Sequence, residues 1–189
     1  MYEKVLKTGY VQIYTGDGKG KSTAAFGLAM RMAGRGGRVY IARFMKGLPS
    51  GECTAVEAMN RTSDIPGESS APLRIECEDF GEPKFIIGTP SDEDIELAHQ
   101  GLRRCMDVVS GGDYDLVVLD EIINAVYFKV LSEDEVLELV HAKADHTEVV
   151  LTGRNASQRL IDRADLVTEM KEIKHYYKTG VPARRGIED

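Results

Sequence analysis

Short apolar runs alternate along this chain with longer stretches in which apolar side chains recur every three or four positions. Tyr10 to Tyr14 reads as a first strand, followed by a glycine-rich turn, Gly16 to Gly20. Ser22 to about Arg35 reads as a helix, with Phe26, Ala29, Met30 and Ala33 on one face and Gly34, Gly36 and Gly37 at its end. Val39 to Phe44 predicts a second strand, Glu52 to Asn60 a second helix and Leu73 to Cys77 a third strand. Arg61 to Pro72, rich in Ser, Gly, Pro and acid, reads as a mobile loop, and Pro83 to Pro90 as irregular with an apolar middle. Ser91 with Asp94, and Ser132 with Glu135, have the spacing of capping boxes. They predict one long helix ending near Gly111 and another running to about Lys143. Leu116 to Leu119, Glu148 to Leu151 and Leu166 to Met170 read as strands, and Ser157 to Ala164 as a short helix. The tail from Lys171 is polar, with isolated apolar anchors.

This alternation predicts a mostly parallel sheet with helices on both faces and right-handed crossovers. Such sheets collect ligands outside the carboxyl ends of their strands. The glycine turn, Arg43, Asp120-Glu121 and Thr152-Gly153-Arg154 are therefore expected along one edge.

With 189 residues, 42% of them hydrophobic, the chain is long enough for one domain with a real core. A single domain over 1–189 is expected, with 171–189 as a tail docking near the active site. No run approaches the ~20 apolar residues that span a bilayer. Met1 to Thr8 lacks an apolar signal-peptide core, so a soluble, cytoplasmic protein without a membrane partner is expected. A net charge of −7 argues against nucleic acid as the partner. Cys53, Cys77 and Cys105 are far apart in sequence and odd in number, which predicts reduced packing thiols rather than a disulfide framework or a zinc site.

The chemistry concentrates in Thr15-Gly16-Asp17-Gly18-Lys19-Gly20-Lys21-Ser22-Thr23. Glycines let a backbone wrap closely round an anion, and successive N–H groups at a helix N-terminus make a phosphate nest. Lys21 can reach the phosphates and Ser22 can ligate a magnesium ion. The pattern departs from G-x-x-x-x-G-K-[ST] in its first position, where Thr15 stands and the glycine falls one place later, at Gly16. Lys19 is an extra cation. A second anchor is Leu116-Val117-Val118-Leu119-Asp120-Glu121, an apolar strand ending in two acids, as suits orientation of a divalent cation.

Beyond a generic phosphate loop, Gly16 to Gly27 closely resembles the start of the P-loop family of ATP:cob(I)alamin (corrinoid) adenosyltransferases. Phe44-Met45-Lys46-Gly47 is similar to the family's F-x-K-G, Leu119-Asp120-Glu121 to its L-D-E, and Thr152-Gly153-Arg154 to its T-G-R. Asp165 to Met170 resembles its D-L-V-T-E-M. Lys174-His175, Gly180, Ala183 and Gly186-Ile187-Glu188 resemble its tail, K-H-x4-G-x2-A-x2-G-I-E, which kinases and ATPases of this fold lack.

The resemblance implies an α/β, three-layer RecA-like P-loop fold. It implies transfer of the 5′-deoxyadenosyl group of ATP to the Co(I) of a reduced corrinoid, with triphosphate leaving. Lys19 and Lys21 are then the catalytic cations, and Gly16, Asp17, Gly18, Lys19, Gly20, Lys21, Ser22, Thr23 and Arg31 the ATP-binding residues. Ser22, Glu121 and Asp120 would hold Mg²⁺ or Mn²⁺, and Phe80, Phe85 and Ile86 would line the corrinoid. A homodimer and an electron-donating reductase are further implied partners. The sequence departs from the family in having no tryptophan in the aromatic segment, Arg43 where Gln is frequent, and at most a short N-terminal arm. The other functions compatible with the phosphate loop are a phosphoryl-transferring ATPase or kinase, and an ATP-binding regulator. The acids Asp92, Glu93, Asp94 and Glu96 suit a helix N-terminus, and His99, His141 and His146 read as surface or satisfied residues. His175 falls in the tail motif, where docking and substrate contact remain open, and Tyr176 and Tyr177 either stack on adenine or anchor the tail.

Overall fold

The computed structural model describes residues 4–48, 50–61, 74–83 and 88–188. The expected loop from Arg61 to Pro72 lies, after Arg61, outside the described residues, as do Phe85 and Ile86.

Six strands form one sheet: β1 (Val11–Thr15), β2 (Arg38–Phe44), β3 (Arg74–Phe80), β4 (Leu116–Asp120), β5 (Glu148–Thr152) and β6 (Leu166–Glu169). Their order is β3-β2-β4-β5-β1-β6, and every pairing is parallel. The expected mostly parallel sheet is thus wholly parallel. β5 lies between the phosphate-loop strand and the acid-bearing strand, consistent with a RecA-like P-loop fold.

Two apolar layers sandwich this sheet. Helices α1 (Lys21–Ala33) and α2 (Gly51–Arg61) cover one face. Ala25, Phe26, Ala29 and Val56 pack there on Val39, Ile41, Val118 and Val150. On the other face lie α3 (Asp92–Gly111), α4 (Ile122–Tyr127), α5 (Glu133–His141) and α6 (Gln158–Arg163). Leu102, Val109, Ile123, Val136, Leu139 and Leu160 meet Ile13, Ala42, Val117, Leu119 and Leu151 there. Successive residues of a strand point to opposite faces, so strands buried on both sides read as continuous apolar runs.

Both expected capping boxes form. The Ser91 hydroxyl accepts from Asp94 N, and the Asp94 carboxylate accepts from Ser91 N; Ser132 and Glu135 repeat the arrangement. These boxes satisfy orphan donors at two helix starts. They also absorb Asp94, one of the acids that suited a helix N-terminus. α4, which follows Asp120-Glu121, was not evident in the sequence. Its first two residues are isoleucines that prolong the apolar run of β4, and six residues carry too little periodicity to show a helix.

Candidate active site

The carboxyl edge of the sheet gathers the chemistry-bearing residues. The loop between β1 and α1 turns through Gly16 and Gly20, both at positive φ (99° and 116°). Its middle lies directly on the end of β6, where Gly18 N donates to the Met170 carbonyl at 2.6 Å. A Cβ on Gly18 would lie 2.6 Å from that carbonyl oxygen, so only glycine admits this approach. This is the structural use of the D-L-V-T-E-M segment. Asp165 anchors its start by accepting from Val11 N at 2.8 Å, and Met170 backs the loop at its end.

Lys21 is buried, and its ammonium donates to the Gly16 and Gly18 carbonyls at 2.7 and 2.8 Å. Burial lowers its pKa, and neighbouring Arg154 adds to the shift, while Glu121, Asp17 and Asp120 oppose it. These influences show one cluster of charges: two cations and three acids drawn from three loops. Arg154 also stands 3.9 Å from Asp17.

Asp120, at the end of β4, is fully buried and doubly engaged. One oxygen accepts from the Thr152 hydroxyl at 2.7 Å and the other from the Lys46 ammonium at 2.8 Å. The Thr152 oxygen in turn accepts from Glu121 N at 2.9 Å. Glu121 stands at a positive φ of 63°, a conformation uncommon for a residue with a side chain. It accepts from the Asn124 amide, and Asn124 accepts from Arg154 N at 2.6 Å. The glycine of Thr152-Gly153-Arg154 is required by the same packing, since a Cβ there would sit 2.7 Å from Ile123 Cβ. Burial raises the Glu121 pKa, with Asp120 adding, while Lys46, Lys21 and Arg154 act against it. Lys46 has the opposite balance: burial pulls its pKa down, but Asp120 outweighs that through charge and hydrogen bonding, and the net shift is up. Two adjacent carboxylates and a helix-start hydroxyl, Ser22, are hard oxygen donors of the kind Mg²⁺ takes, and the strained charge balance at Glu121 suits a cation.

Lys19 is exposed and belongs to the tail. It pairs with Glu188 at 2.8 Å and donates to the Ile187 carbonyl. Glu188 also accepts from the Tyr176 hydroxyl and from Arg184, whose guanidinium lies 4.8 Å from the Tyr176 ring centre. The His175 Nδ1 accepts from Tyr177 N and starts a single 3-10 turn, Tyr176–Thr179. Tyr176 therefore anchors the tail, while Tyr177 is exposed.

The other expected site residues fall as follows. Asp17 and Thr23 are exposed on the loop and the first turn of α1, and Ser22 is half-buried beside Lys21. Arg31 lies in the last turn of α1, ten residues beyond Lys21 and so about 15 Å along the axis. The fold does not bring it to the phosphate loop. Phe80 ends β3 packed on Phe44 (ring centres 5.9 Å apart) and on Gly101. Arg43 lies along the edge as expected, in register with Asp120, but its side chain is turned inward. It is buried within β2 and holds Asp79 through Nε at 2.6 Å and the Leu48 carbonyl at 2.8 Å. His99 is satisfied by the Ile95 carbonyl and Glu135.

Residues 7–188 match the family described as ATP:corrinoid adenosyltransferase BtuR/CobO/CobP. The chain belongs to this family. It is 35% identical over 180 residues to a corrinoid adenosyltransferase of Pseudomonas aeruginosa, an alignment covering 95% of this chain and 83% of that protein. The corrinoid adenosyltransferase CobA of Salmonella typhimurium is 31% identical over 188 residues, with 95% and 85% covered. One from a Sinorhizobium species is 32% identical over 195 residues, with 98% and 85% covered. Among the described residues, no helix is long and apolar enough to cross a membrane.

Lys46 was legible in the sequence as part of F-x-K-G, but its grip on Asp120 was not. That contact depends on β2 and β4 being neighbours, with Arg43 beside Asp120 in register.

Proposed function

We propose that the protein transfers the 5′-deoxyadenosyl group of ATP to the Co(I) of a reduced corrinoid and releases triphosphate. The observation that carries this reading is the convergence of Lys21, Arg154, Lys46, Asp120 and Glu121 on one sheet edge beside a glycine loop, in a chain whose tail bonds to that loop through Lys19. The cobalt of the substrate supplies the electron pair that forms the Co–C5′ bond. The C5′–O bond breaks, and its pair leaves on the triphosphate. No protein nucleophile is needed.

The chain's part is to position and to neutralise. Loop amides and Lys21 hold the triphosphate, with Lys19 and Arg154 at its flank. Fixing C5′ in line with cobalt contributes on the order of 7–11 kcal/mol. Preformed cations stabilise charge on the leaving group without reorganisation. Ser22 and Glu121 would hold Mg²⁺ or Mn²⁺, with Asp120 orienting them. A cation bound there screens the polyphosphate. Phe80, with Phe85 and Ile86 in the segment after β3, is the proposed corrinoid wall. By the family resemblance, the active unit is a cytoplasmic homodimer of single-domain chains served by a reductase, with the tail from 171 docked on the active site.

The test is incubation with ATP, Mg²⁺ and chemically reduced cobalamin without oxygen. An adenosylcobalamin spectrum with matching triphosphate release is expected. ADP and phosphate would indicate phosphoryl transfer instead, and ATP binding without turnover would indicate a regulator; either overturns the reading.

A further inference from the structure

Away from this edge, the fold brings together two cysteines that sequence spacing had separated. Cys53, in the first turn of α2, and Cys77, in the middle of β3, have their sulfurs 2.8 Å apart. That is well inside the separation of two sulfurs in ordinary contact. Cys53 is buried, while Cys77 is half-buried. Both pack against the apolar layer under α2, with polar groups also close by: the Ser50 hydroxyl accepts from Cys53 N at 3.3 Å, and the Arg43–Asp79 pair lies alongside. Cys105 is fully buried in the other core layer and has no part in the arrangement.

We propose that Cys53 and Cys77 form a redox-active dithiol whose natural co-reactant is a small disulfide of the glutathione type. One cysteine, as thiolate, attacks a sulfur of that disulfide and expels one thiolate from it. The second cysteine then displaces the remaining half. A Cys53–Cys77 bond forms, the reagent's S–S bond breaks, two electrons pass to the reagent, and the two cysteine protons end on its two released thiols.

Cys53 carries the thiolate character of the pair, while Cys77 is its more exposed sulfur. The Cys53 pKa falls to about 6, first because Cys77 donates to it, with Ser50 and the Arg43 guanidinium also favouring the thiolate against burial. Cys77, holding the shared proton, is shifted upward. The same two sulfurs and the Asp79 carboxylate lie within 4.8 Å of one another, which raises metal chelation as the competing use. Two points favour the dithiol. Asp79 is already held by Arg43. Thiolates sharing a tetrahedral zinc, with Zn–S of ~2.3 Å, stand farther apart than this pair.

A bond here would staple α2 to β3, next to the segment that carries Lys46. It would close a long loop, so the oxidised protein is expected to melt roughly 5–10 °C above the reduced one.

The full-length protein is equilibrated with reduced and oxidised glutathione at graded ratios, quenched, denatured, and labelled with a maleimide mass tag. Oxidation should remove two of three tags, and peptide mapping should show Cys53 joined to Cys77 with Cys105 still labelled. Cys53→Ser and Cys77→Ser should each keep both remaining tags or carry one glutathione, with no rise in melting temperature. Retention of all three tags by the wild type, or glutathione adducts without the internal bond, overturns the proposal. So does titration with Cd²⁺ giving a one-to-one thiolate charge-transfer band in protein that glutathione disulfide fails to oxidise. The wild-type measurement decides the matter even if a serine variant folds poorly.

Discussion

Two lysines in one loop belong to different regions of the molecule. Lys21 sits in the buried edge of the sheet, held by carbonyls of its own loop and surrounded by charges from that loop and two others. Lys19, two residues earlier, belongs to an exposed surface where Glu188, Tyr176 and Arg184 of the tail hold one another. The first environment is enforced by packing and desolvation, so charge there is expensive and strongly felt. The second is wet, and its ion pairs are weak and screened. Equal charge on paper therefore means unequal leverage on a triphosphate.

The largest expected effect comes from emptying the buried site. Lys21→Ala should cut adenosyl transfer about 100- to 1,000-fold and weaken ATP binding, with an unchanged circular dichroism spectrum. Equal rates would remove the distinction between the two lysines. Next is Glu121→Gln, which keeps the hydrogen-bonding shape but discards the charge. A loss of about 10- to 100-fold in apparent Mg²⁺ affinity is expected in a metal titration of activity.

The pH response should be smaller and sharper. Burial depresses the Lys21 pKa, so the ligand-free fold bears the cost of a desolvated ammonium at neutral pH. That cost is relieved as pH rises through the lowered pKa, whereas bound polyphosphate relieves it by keeping the proton. The ATP-induced rise in melting temperature should accordingly shrink at a pH below the usual lysine range, and Lys21→Met should abolish this pH dependence. The smallest effect belongs to the tail. Glu188→Gln frees Lys19 and should tighten ATP about two- to fivefold, as read by equilibrium titration. The Glu188 carboxyl is held well below the ordinary carboxylate range, first by its bond to Lys19. Such a group contributes above its unfolded pKa and loses that only as pH falls through the depressed folded value. Salt, not mild acid, should reproduce the variant.

The same contrast explains what could be read from the sequence. All six strands and both capping boxes were legible, because period and spacing are local properties. The phosphate loop was legible because its glycines and Lys21 follow one another in the chain. What escaped was set by neighbours in space. The bond from Lys46 to Asp120 needs β2 beside β4. The approach of Cys53 to Cys77 needs α2 laid over β3, so spacing along the chain could not show that these two packing thiols are neighbours. Arg43 stands at the edge beside Asp120 as expected, but its pairing with Asp79 needs β3 alongside β2.

The position of β5 has a geometric consequence. Neighbouring strands are spaced about 4.8 Å apart, so one strand inserted between β1 and β4 holds the nest and the acids about 9.5 Å apart at the level of the backbone. The sheet's own pitch thus works as a ruler. Side chains of the nest and of the acids must bridge that one strand to share a ligand, so their lengths as well as their charges are set by the sheet.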